Sequence, residues 1–126
     1  MLEENEYQAQ CAVIQWAAYQ EHHFPELQLL KGNLEGIYLH GTQEQRAKTI
    51  NKAKKAGMRP GWPDLELPVS RKGYGALFIE LKVGTNKPSP EQVRMLDLLV
   101  EHGNAVYLAY GSQQAIKIIS SYLSKK

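Results

Sequence analysis

Asp64, Glu80 and Lys82 are the residues of this 126-residue chain whose types and spacing admit chemistry. They fall in GWPDLELPVSRKGYGALFIELK, Gly61 to Lys82, a stretch that otherwise reads as buried strand. Residues two apart in a strand point to one side, so Glu80 and Lys82 share a face while Ile79, Leu81 and Val83 take the other. Asp64 opens the preceding strand and can lie beside them across the ladder. Charged groups in a nearly continuous apolar strand are costly unless paired. Lys82 can neutralise one carboxylate, but two acids sharing a site push one pKa upward. A divalent cation would remove that conflict and give the arrangement a use. The structural alternative is a plain Glu80–Lys82 ion pair. The acid after a proline, its place at the head of the neighbouring strand and the apolarity of the second strand favour a site.

The elements that must position these residues follow from periodicity and punctuation. Tyr7, Cys11, Ile14 and Ala18 recur at helical spacing, which predicts an amphipathic helix from Glu4 to about Tyr19, ended by Pro25. LQLL (Leu27 to Leu30) reads as a short strand and KGNLEGIYLHG as loop. Thr42 with Gln45 makes a capping box for a helix running to Ala56, with Gly57 as its stop. Asp64–Val69 and Ala76–Val83 are strands joined by a hairpin turn at Ser70–Gly75. Ser89 caps a helix that begins at Pro90, turns Val93, Leu96, Leu99 and Val100 inward, and stops near Gly103. A strand at Ala105–Tyr110 and a helix at Ser112–Leu123 close the chain. The order predicts an α/β fold, a mixed sheet flanked by helices on both faces, in one domain spanning residues 1–126.

Charge is divided along the chain. Residues 1–30 hold five acids and no Lys or Arg, whereas residues 31–87 hold eleven bases and five acids. RAKTINKAKKAGMR, Arg46 to Arg59, has six bases and no acid. Such a one-signed field attracts polyanions, nucleic acid first among them; a solvated lysine-rich helix is the plainer reading. The single cysteine, Cys11, excludes a disulfide framework and a Cys-based zinc site. No apolar run reaches the length of a membrane span, and the acidic N-terminus is unlike a signal peptide, so a cytoplasmic protein is expected. His22, His23 and His102 lack partners at metal-ligand spacing and should face solvent. His40 is a minor candidate for phosphate. Trp16 should lie in the core or an interface rather than serve as a base-stacking platform, and Trp62 should pack under the active-site strand, with contact to DNA as the alternative.

Pro63-Asp64 followed by Glu80-Leu81-Lys82 resembles the PD-(D/E)xK nuclease pattern. AGMRPGWPDLELPV, the run Gly75 to Lys82 and SPEQ (Ser89 to Gln92) are similar to the VRR-NUC branch, the virus-type replication-repair nucleases. The resemblance runs from the first helix to the last strand and implies a restriction-endonuclease-like core. It further implies that Asp64, Glu80 and the carbonyl of Leu81 hold a metal, and that Lys82 orients or activates water and stabilises charge on phosphate. Glu6, followed by Gln10 on one helix face, matches the family's acid at the edge of the site; Glu3 and Glu4 are close enough to compete for that role. Gln92 matches the family's Gln after the loop and is equally well read as a helix cap. GNLEG only approximates the family's Asn-Gly segment, so neither Asn33 nor Glu35 is given a catalytic role.

The chemistry so implied is phosphodiester hydrolysis of DNA, with Mg²⁺ as cofactor and Mn²⁺ able to substitute. Lys48, Lys52, Lys55, Arg59 and Lys72 are the expected DNA contacts. Similarity of stand-alone VRR-NUC domains to Holliday-junction resolvases implies a structure-selective endonuclease acting on branched DNA as a homodimer, of phage or prophage origin. The alternatives are a flap- or end-directed nuclease, or a non-catalytic basic DNA-binding module.

Overall fold

The computed structural model describes residues 4–34 and 40–124. Glu3 and Glu35, and most of the segment expected as loop after Gly32, lie outside them. Helix α1 spans Glu6–Gln20, followed by a 3₁₀ turn at Pro25–Leu29 and the short strand β1, Lys31–Gly32. Then come α2 (Gln43–Lys55), β2 (Leu65–Leu67), β3 (Leu77–Lys82), α3 (Pro90–Glu101), β4 (Ala105–Tyr110) and α4 (Ser112–Leu123). The sheet runs β1-β2-β3-β4. Its first two pairings are antiparallel and β3–β4 is parallel, with α3 as the crossover.

The pleat sorts β3 as expected. Leu77, Ile79 and Leu81 face a core built with Leu65, Leu67, Ala105 and Ala109, closed by α1 (Ala9, Val13, Ala17) and α4 (Ala115, Ile119, Tyr122). Phe78, Glu80 and Lys82 take the other face, where α3 lies over the sheet through Leu96 and Gln92. Every residue of β3 is buried. The fold is α/β, a mixed four-stranded sheet between helices.

Three expectations are corrected. LQLL is not a strand: Pro25 starts a 3₁₀ turn whose i→i+3 bonds from Leu27 N to Phe24 O (2.9 Å) and Leu30 N to Leu27 O (3.1 Å) take the amides a ladder would need. The inward face of α1 is Ala9–Val13–Ala17, not Tyr7–Cys11–Ile14–Ala18, because small side chains let the helix lie close to the sheet. Tyr7 and Cys11 instead lie on the solvent side. In α3 only Leu96 is fully buried, while Val93 (41%) and Val100 (55%) are exposed.

The caps at Thr42 and Ser89 hold as read, each a capping box with the Gln three residues on. Asn5 forms a further capping box with Gln8 at the start of α1. Gly57, at φ +111°, ends α2 in the left-handed region. Helix α2 buries no residue. Among the described residues no helix is long and apolar enough to cross a membrane.

Candidate active site

The register Leu65↔Ile79 sets Asp64 opposite Glu80 just beyond the end of β2. The Leu81 N–H there donates to Asp64 Oδ2 at 2.8 Å, where a longer β2 would have supplied a backbone acceptor. The carbonyl of Leu81 points along the same strand edge as its N–H. From the other side Asp64 is fixed by its own carbonyl, which accepts from Asn33 N at 2.7 Å.

Glu80 and Lys82 stand side by side, Lys82 Nζ 3.4 Å from Glu80 Oε2, the Lys82 side chain 9% and the Glu80 side chain 2% exposed. Gln92 joins them from the first turn of α3. Its Oε1 accepts from Lys82 Nζ at 3.0 Å, and its Nε2 donates to Glu80 Oε2 at 2.9 Å. The same Oε1 also accepts from Ser89 N at 2.9 Å, completing the capping box. One side chain thus completes the cap and binds both Lys82 and Glu80.

Glu80 Oε1 is left buried with no hydrogen-bond partner. Burial, then the neighbouring Asp64 charge, push the Glu80 carboxyl up to about 8 against the pull of Lys82. Asp64 is also raised, by burial first, with the Glu6 charge adding to it against the Leu81 amide. Two crowded carboxyls and an oxygen without a donor form a hard, oxygen-only set, which fits a divalent cation of the Mg²⁺ or Mn²⁺ type. The residues able to hold it are Asp64, Glu80 and the Leu81 carbonyl. Among the described residues no three His, Cys, Asp or Glu side chains converge as a ready metal cluster.

Glu6 sits at the rim, accepting from Asn86 Nδ2 at 3.5 Å and close enough to act on Asp64. Glu4 is otherwise engaged: its carboxylate accepts from Ser112 N at 2.6 Å and Ser112 Oγ at 3.0 Å, capping α4. Gln10 reaches over Gly32 to donate to the Asn33 carbonyl at 3.1 Å.

Lys48, Lys52 and Lys55 lie exposed along α2, and Arg59 lies exposed just after it. Lys72 stands apart from them. It lies in the hairpin turn at the opposite end of β2 and β3 from Asp64, and its ammonium donates to the Ser121 carbonyl at 2.6 Å. His22, His23, His40 and His102 are all exposed. Trp62 packs edge-to-face on Phe78 beneath the site face, centroids 5.6 Å apart, and Trp16 packs against the core. The neighbourhood of Trp62, with Lys31 and Glu66, is what motif reading did not bring out. Its one sequence signal was an aromatic residue directly before Pro63-Asp64.

The chain matches the VRR-NUC domain over residues 4–113. A solved structure described as a VRR_NUC domain protein superposes on it with a TM-score of 0.73 at 24% identity, covering 98% of this chain and 91% of that one. At that identity the likeness speaks to the fold. No curated protein matches.

Proposed function

The chain belongs to the VRR-NUC domain family, a nuclease-type family, and on that premise we propose that it is a divalent-metal-dependent nuclease cutting branched DNA as a homodimer. The observation that carries this reading is the unpartnered, buried Glu80 oxygen beside Asp64, with Lys82 clamped to the same carboxylate and to Gln92. A salt bridge serving stability alone would leave no acceptor dry and no second acid pressed against it.

When bound, Mg²⁺ or Mn²⁺ supplies Lewis acidity, polarising a phosphoryl oxygen and lowering the pKa of water. Asp64, Glu80 and the Leu81 carbonyl would hold it, with Glu6 adding negative charge at the rim. Lys82 is positioned to meet charge developing on the phosphate, or to take the proton of the attacking water. Gln92 fixes the direction of the Lys82 ammonium and of Glu80 together. Lys48, Lys52, Lys55 and Arg59 would track the DNA backbone, while Lys72 has no part in this grip. A two-fold dimer would present one site to each of two strands, which is what paired cuts across a junction require.

The test is cleavage of end-labelled four-way junction, flap and linear duplex DNA by wild type and Glu80→Ala, with Mg²⁺ or EDTA. Paired symmetric nicks with wild type and metal alone are expected. Preference for flaps or ends would replace the junction reading. Binding without scission, in Mn²⁺ as well, would leave a basic DNA-binding module.

A further inference from the structure

Beside Asp64 a cleft of about 260 Å³ opens between the β1–β2 edge and the turn leaving α2, lined by Lys31, Asn33, Met58, Arg59, Trp62 and Glu66. Lys31 pairs with Glu66 and Glu66 with Phe78, so the cleft lies on the Glu80–Lys82 face of the sheet. It adjoins the site directly: Asn33, whose N–H holds the Asp64 carbonyl, donates from its side-chain amide to the Trp62 carbonyl at 3.2 Å. Trp62 is half-buried and fixed at two points, its indole N–H donating to Glu66 Oε1 at 3.2 Å and its ring set at 86° to Phe78. Among the described residues neither Lys31 nor Arg59 forms an ion pair, although Glu66 lines the same cleft.

We propose that this cleft receives one unstacked nucleotide of the substrate strand, its base against Trp62 and Met58 and its phosphate met by Arg59 and Lys31. A fixed aromatic with unpaired cations at its margin is the combination that binds single-stranded nucleic acid. The volume lies just below the roughly 300–1,000 Å³ of pockets for drug-sized ligands, a size for one nucleotide rather than a base pair. Taking a base out of a stack costs a few kcal/mol in duplex and least where it is already unpaired. The cleft would therefore select junctions, gaps and frayed ends over continuous duplex with no sequence readout. This inference rests on the nuclease reading and specifies how its substrate is chosen.

The experiment uses four-way junctions with an abasic residue at each position around the cut. Binding is measured by anisotropy in EDTA and cleavage in Mg²⁺, for wild type, Trp62→Phe, Trp62→Ala and Arg59→Ala. One abasic position should weaken binding roughly five- to 150-fold in wild type. The loss should persist in Trp62→Phe and largely vanish in Trp62→Ala, which already lacks the contact. Arg59→Ala, at an exposed position that folding does not need, should weaken binding at every position and lower its salt dependence. Should Trp62→Ala not fold, Met58→Ala serves for the same comparison. No position-specific loss, or an undiminished one in Trp62→Ala and Met58→Ala, overturns the cleft. A position-specific loss in EDTA with no scission of any substrate overturns the nuclease reading and leaves the cleft standing.

Discussion

At the scale of single residues, the site depends on one amide doing two jobs. Gln92 closes the α3 capping box and binds both Lys82 and Glu80. Gln92→Ala should lower stability by about 1 kcal/mol through the cap and depress kcat with little change in KM, a split read by steady-state kinetics beside a melt. Asp64→Ala, Glu80→Ala or Lys82→Ala should each reduce cleavage by about a hundred- to a thousandfold while leaving the circular dichroism spectrum intact. A purified, folded variant that cuts at wild-type rate removes its residue from the site. The carboxyl pair also fixes a sign. Glu80 is held near 8 in the fold against an ordinary 4.5, so between those values the folded state keeps a proton that the unfolded state releases. Stability is full below the lower value and is lost as pH rises through the upper one, so the metal-free melting temperature should fall from about pH 5 to about pH 8.5. Glu80→Gln should flatten that slope, and added Mg²⁺ should raise the melting temperature at the alkaline end. A flat profile for the metal-free wild type contradicts the crowding of the pair.

At the scale of elements, what the sequence discloses depends on whether a local rule decides. The period of two in β3 predicts which side chains meet, and the caps at Thr42 and Ser89 obey local hydrogen-bonding rules, so both were legible. The packing face of α1 was not, because two stripes of comparable apolarity compete and only the distance to the sheet chooses between them. Alanines win where space is short. Ala9→Leu should therefore destabilise the protein by about 1–3 kcal/mol, whereas Tyr7→Ala and Tyr19→Ala, on exposed positions, should be near neutral in chemical denaturation. The cleft at Trp62 was illegible for a related reason: its walls come from β1, β2 and the turn after α2, and only register brings them together. Helix α2 poses the opposite case, its lysines plain in sequence and exposed in the fold. Replacing Lys48, Lys52 and Lys55 by Ala should reduce the slope of log binding against log salt by about 2.7 if all three meet phosphate. An unchanged slope would move the DNA elsewhere.

At the scale of the whole molecule, the acidic stretch of residues 1–30 and the basic stretch of residues 31–87 are tied together by the Glu26–Arg71 ion pair. Glu4, Glu6, Glu21 and Glu26 sit on or beside α1 and its following turn, and the basic run projects on α2. The homodimer proposal predicts a molar mass twice that of the chain by light scattering at working concentrations. A monomer that still made paired cuts would sink it. The absence of any buried residue on α2 has its own consequence. A 13-residue helix that buries none of its residues is near the length at which isolated helices are marginal in water. Its amides should exchange with deuterium faster than those of β3 and slow when DNA arrives. Such a segment is also replaceable: another basic element grafted between Thr42 and Gly57 would leave core, sheet and site untouched. On the proposed reading grip and chemistry are separable parts, so affinity for nucleic acid could be retuned on α2 without rebuilding the site.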